Sequence, residues 1–143
     1  MKTLLERDED EVCEFKANKS VSDNDMGEYF SALSNEANLR GVGSAWIAFG
    51  IMEKPRPHTV HSTFKNGSDS INKLKHFISQ HTSDNTPFDN VYEFFDGDKR
   101  IVLFEIPAAK PGTPMRFKNF PTAGTGTIYH LSLTKSTNAY STR

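Results

Sequence analysis

Glu14-Phe15-Lys16 sets a carboxylate and an ammonium two residues apart, so on a strand both lie on one face with the phenyl ring on the other. Beside the polar segment Asn35 to Gly43 they can line a cleft, with Glu14 and Asn35 in its wall. The plainer alternative is a surface ion pair, which contributes little. The other chemistry-bearing groups do not assemble into motifs. Gly41-Val42-Gly43-Ser44 is glycine-rich but lacks the lysine of a phosphate loop, and it precedes a strand rather than a helix whose N-terminus could hold an anion. His58 and His61 have the spacing of a ligand pair, yet no cysteine or further histidine nearby completes the four ligands of a structural zinc, so no metal site is expected. His76 and His81 fall on the wet face of a helix. Cys13 has no histidine partner in sequence and reads as a packed strand residue.

The elements that must position these groups follow from periodicity. Met26, Tyr29, Phe30 and Leu33 recur at helical spacing behind Asn24 or Asp25 as N-cap, and the apolar stripe ends at Ser34-Asn35. A polar loop, Glu36 to Gly43, leads to Ala45-Trp46-Ile47-Ala48-Phe49-Gly50-Ile51, an unbroken apolar run that predicts a central strand covered on both faces, with Trp46 buried in it. Glu11 to Lys16 is the neighbouring strand, preceded by the acidic run Asp8 to Glu11, read as a solvated connection. Lys54 to Pro57 is loop, and Thr59-Val60 begins a short edge strand. Ile71, Leu74, Phe77 and Ile78 mark a second helix over Ser70 to His81, capped by Ser68, Asp69 or Ser70. Phe88 to Phe95 and Arg100 to Ile106 form a hairpin around Asp96-Gly97. The order strand, helix, strand, helix, hairpin predicts an α+β domain with two main helices packed on a mixed sheet.

Composition sets the bounds. The 143 residues suit one domain with a real core, and 36% are hydrophobic. A formal net charge of −1 supplies no global attraction to nucleic acid or acidic membranes, so binding of that kind needs a local patch. One cysteine excludes an internal disulfide and fits a reducing compartment. No apolar run has transmembrane length, and MKTLLERDED is not a signal peptide, so no membrane partner and a cytoplasmic location are expected.

Four pieces in order resemble a known family: Glu14-Phe15-Lys16, Tyr29 to Asn38 (YFSALSNEAN), Ala45-Trp46 through Phe49-Gly50, and Phe104-Glu105-Ile106-Pro107-Ala108. Together they are similar to the Schlafen-type, AlbA-like domain found at the N-terminus of bacterial proteins called divergent AAA, ATP-binding or transcriptional regulators. The resemblance covers residues 1 to about 120. It implies an α+β fold and nucleic-acid binding, whereas the ATP-binding label gains nothing from these residues and no cofactor is expected. In the RNA-cutting Schlafen branch, two glutamates five apart and an aspartate after the F-G strand hold a divalent metal. Glu9 and Glu14 have that spacing, but the third place falls on Met52, with Glu53 beside it and turned the other way. A metal nuclease needs carboxylates converging on one point. The ribonuclease is therefore the second reading, with Glu9, Glu14 and Glu53 as its residues, and an inactive truncated fragment is the third. The first is phosphate contact, with DNA as partner, by Lys16, Arg40, Arg116 and Lys118, because no helix offers base-reading side chains.

The segment 121–143 is atypical. It has no acidic residue and no apolar periodicity, and its composition is that of a disordered tail. In the family the F-K segment leads into a stretch similar to Tyr-Gly-Arg-Asp-Gly. Sliding the frame back one base converts Thr122-Ala123-Gly124-Thr125-Gly126 into those five residues within codon degeneracy. The expectation is a frameshift near Pro121, which truncates the protein and which the nucleotide sequence decides.

Overall fold

The computed structural model describes residues 12–17, 20–118, 127–131 and 140–142. Four strands form the main sheet: β1 (Cys13–Lys16), β2 (Ser44–Phe49), β5 (Asn90–Asp96) and β6 (Lys99–Pro107), in the order β1-β2-β6-β5. β1 runs parallel to β2, which is reached through helix α1 (Asp23–Arg40), and the other two contacts are antiparallel. The sheet is therefore mixed, and with α2 (Ser68–His81) laid on it the fold is α+β as expected. β3 (Ile51–Met52) and β4 (His58–Thr59) make a small second pair. β7 (Arg116–Phe117), β8 (Thr127–Leu131) and β9 (Tyr140–Thr142) make a third sheet, antiparallel throughout. The expectation of a disordered tail over 121–143 falls largely outside the described residues, which within it include β8 and β9.

Strand alternation sends Ala45, Ile47 and Phe49 of β2 and Val102, Phe104 and Ile106 of β6 to one face, where Met26, Phe30 and Leu33 of α1 and Leu74 and Ile78 of α2 cover them. Phe49 stacks on Phe64 at 3.9 Å between centroids and meets Phe104 edge-on at 5.7 Å. The opposite face gathers Cys13, Phe15, Ala48 and Ile51, with Trp46 and Leu103 half-buried against them. Trp46 is thus not in the main core: it shares its face with Tyr92, 6.3 Å away. The apolar run predicted coverage of both faces, but only one lies under the helices.

α1 does not stop at Ser34-Asn35. It runs to Arg40 and closes at Gly41, whose backbone is left-handed at φ 72°. Its N-cap is Ser22, whose hydroxyl accepts from the Asp25 amide at 3.0 Å, rather than Asn24 or Asp25. α2 begins at Ser68 after Gly67, with no side-chain cap, so the choice among Ser68, Asp69 and Ser70 is also corrected. The hairpin stands as predicted, with Asp96 opposite Lys99 and Gly97 at φ 64° in the turn. Gly50 ends β2 at φ 101°, where any Cβ would meet the Arg100 carbonyl oxygen at 2.7 Å.

Candidate nucleic-acid interface

Lys16 and Glu14 point from β1 to the helix-covered side of the sheet, opposite Phe49 and Ile47. The Lys16 ammonium donates to the Tyr29 hydroxyl of α1, lies 4.5 Å from that ring's centroid, and stands 3.5 Å from the Glu14 carboxylate. Both charged side chains are about one-seventh exposed, at 14% and 13%, so this is not the surface pair of the plainer reading. Burial pulls the Lys16 pKa down, but the Tyr29 hydrogen bond and the nearby Glu14 carry it above its ordinary value. Burial raises Tyr29 as well, against the opposing pull of Lys16. A protonated lysine donating to a neutral phenol satisfies both directions.

Asn35 is buried, at 4% exposure. Its carbonyl oxygen accepts from the Met115 amide at 2.6 Å, and its own amide donates to the Met115 carbonyl at 3.1 Å, as a strand neighbour would. Ser31 Oγ donates to the same carbonyl at 2.8 Å, and Ser34 Oγ to the Pro107 carbonyl at 2.7 Å. These polar residues fasten the proline-rich segment after β6 along α1. A cleft that does exist, lined by Ser20, Val21, Thr63, Phe64, Lys65 and Asn66 among others, includes neither Glu14 nor Asn35.

That fastened segment delivers β7. Phe117 is buried between the helices, 6.1 Å from the Phe77 ring, and its ring fills the space above Gly27 of α1. Its neighbours Arg116 and Lys118, one strand period apart, are directed away from that contact and remain half-exposed. Backbone bonds fix both: the Arg116 amide donates to Ser83 Oγ at 2.8 Å, and the Lys118 amide to the His81 carbonyl at 2.9 Å.

The four cations expected to act together stand on different elements: Lys16 on β1, Arg40 on α1, and Arg116 on β7 with Lys118 just after it. Arg116 and Lys118 are neighbours. Lys16 bonds Tyr29, which lies on a different flank of α1 from the Gly27–Ser31 row that receives β7. Arg40 stands in the last turn of α1, 55% exposed and 3.5 Å from Glu36, whose carboxyl is raised by burial. Sequence reasoning missed Lys73, on the α2 row that continues through Phe77 to His81. His81 itself is half-buried, stacked at 4.3 Å on Phe77 and bonded through Nδ1 to the Phe77 carbonyl, not on a wet face. The i, i+4 spacing of these three was available in sequence, but nothing there joined it to β7.

Of the nuclease residues, Glu9 lies outside the described residues, Glu14 is engaged with Lys16, and Glu53 is exposed just after β3. Among the described residues no three of His, Cys, Asp and Glu gather as a metal site, and no helix is long and apolar enough to cross a membrane.

The family model described as "Schlafen, AlbA_2" matches residues 9–136, which runs past the boundary expected near 120. The solution structure of the N-terminal domain of an ATP-dependent DNA helicase RecG-related protein from Nitrosomonas europaea is similar at 14% identity and TM-score 0.56. That match covers 95% of this chain and 88% of that one. The DIP2311 protein from Corynebacterium diphtheriae aligns at 14% identity and TM-score 0.49, covering 75% of this chain and 19% of that one. No curated protein matches the sequence.

Proposed function

Because the chain belongs to the Schlafen AlbA_2 family, we propose that it is a nucleic-acid-binding module of a bacterial, cytoplasmic, regulator-like protein, with DNA as its partner and the phosphate backbone as what it touches. The observation that carries this reading is β7, where burial of Phe117 between the helices turns Arg116 and Lys118 outward together. A pair of adjacent cations on a fixed strand suits phosphates about one nucleotide apart and reads no base. The similarity to a domain of a RecG-related protein, named for a DNA helicase, supports the same partner. Lys73 extends the patch along α2. Lys16, engaged with Glu14 and Tyr29, positions β1 against α1, so the reading centres the phosphate contacts on Arg116 and Lys118.

The test is the salt dependence of binding to labelled duplex DNA, followed by anisotropy. Each phosphate contact contributes about 0.9 to the slope of log K against log salt, so Arg116→Ala with Lys118→Ala lowers the slope by about 1.8. Lys16→Met leaves it unchanged. Binding that ignores salt, or an unaltered slope in the double variant, overturns the proposal. Manganese- or magnesium-dependent cleavage of RNA, lost in Glu14→Ala, would favour the ribonuclease reading instead.

A further inference from the structure

Within the described residues β5 is an edge of the main sheet, with β6 on one side only. Natural edge strands are shielded by lysine, proline, bulges or shortness, because their unpaired amides and carbonyls template another strand. β5 has none of these. It is seven residues long, NVYEFFD, and its register with β6 runs unbroken from Asn90↔Glu105 to Asp96↔Lys99. It also displays aromatic rings to solvent, with Phe95 61% and Tyr92 41% exposed. Its two acids are already engaged inside the chain. Glu93 Oε2 is 2.5 Å from Arg100 Nε, and Asp96 accepts from Thr59 Oγ1 at 2.7 Å.

We propose that a second copy of this chain pairs antiparallel with β5, about a two-fold axis through Glu93, so that one sheet continues across both chains. The sequence of β5 is complementary to its own reverse. In the register centred on Glu93, Tyr92 meets Phe94 of the other copy on one face and Val91 meets Phe95 on the other, while the Asn90 amide meets the Asp96 carboxylate at the ends. All four apolar residues gain apolar partners, the pairings that stabilise antiparallel strands. Centring the axis on Tyr92 sets Val91 against Glu93, and centring it on Phe94 sets Phe95 against Glu93. A shift by one residue turns side chains to the wrong face. The one like-charge encounter, Glu93 with Glu93, is between carboxylates that each hold their own arginine.

Sedimentation of the whole chain from micromolar to near-millimolar concentration tests this. The mass rises from the 16.1 kDa of one chain toward twice that value. Tyr92→Lys and Phe95→Lys each hold it at one chain with unchanged circular dichroism, while Leu39→Lys, a change to an exposed leucine of α1, does not. The double variant Asn90→Cys with Asp96→Cys alters two exposed positions and reads the register: oxidation links two chains, and either cysteine alone links them far more slowly. A single-chain mass at every concentration, a dimer indifferent to both lysines, or double and single cysteine variants cross-linking alike would each overturn the proposal.

Discussion

Gly27 and Phe117 are in such close contact that a Cβ on the glycine would lie 2.0 Å from the ring. A glycine inside a helix ordinarily costs about 1 kcal/mol relative to alanine, so Gly27→Ala taken alone should stabilise α1. The ring reverses the sign. Overpacking of this kind costs about 1–3 kcal/mol, and Phe117 cannot withdraw without taking β7 with it. Gly27→Ala should lower the urea midpoint and weaken DNA binding together. Adding Phe117→Leu should recover part of the stability and little of the binding.

Lys16 and Tyr29 make the fold sensitive to alkali. Both have folded-state pKa values raised above their ordinary ones. The stability they contribute is fully present below the unfolded values and is lost as pH rises through the folded ones, a window that opens above pH ~10. Thermal midpoints should therefore hold steady through neutral pH and fall beyond that point. In Tyr29→Phe, which removes one titrating group and the hydrogen bond that raises the other, the fall should be shallower. A fall of equal depth in that variant would remove the pair from the explanation.

Arg100 joins the hairpin to the segment before α2. Its guanidinium, 2% exposed, meets Glu93 and donates to the carbonyls of Ser62 at 3.1 Å, Phe64 at 2.8 Å and Lys65 at 3.0 Å. Arg100→Ala strands those carbonyls and should cost several kcal/mol by chemical denaturation, at about 1–3 kcal/mol for each buried acceptor left unsatisfied. Glu93→Gln, at a side chain 43% exposed, should cost no more than about 1 kcal/mol.

Trp46 provides a spectroscopic check on the two faces of the sheet. Half-buried beside Tyr92, it should emit to the red of a fully buried indole and be partly accessible to acrylamide. Truncation to alanine should cost less than the roughly 3–5 kcal/mol typical of a core aromatic. Emission as blue as that of an apolar interior would return it to the main core.

The features visible in sequence were those carried by local patterns. The 88–106 hairpin was legible from its alternating residues and Asp96-Gly97, and the second helix from Ile71, Leu74, Phe77 and Ile78. The end of the first helix was not legible, because Ser31, Ser34 and Asn35 carry the polarity of a helix end. They are buried instead, their partners being Met115 and Pro107 some eighty residues on. Candidate-site residues fared likewise. Glu14 and Lys16 on one face follow from strand period, but Tyr29, which engages Lys16, and Gly27, which seats Phe117, come from tertiary approach that no spacing encodes.

Asn35 and Met115 have a further consequence in time. Met115 itself belongs to no strand, so its amide would ordinarily exchange with solvent deuterium as fast as loop amides do. Held by a side chain of α1 at 2.6 Å, it can exchange only when the segment peels from the helix. Its protection factor therefore reports how often β7, with Arg116 and Lys118, leaves its seat. A slow Met115 amide, together with a slow Arg116 amide held by Ser83, would mark the patch as a rigid surface, presented ready-made rather than assembled on contact.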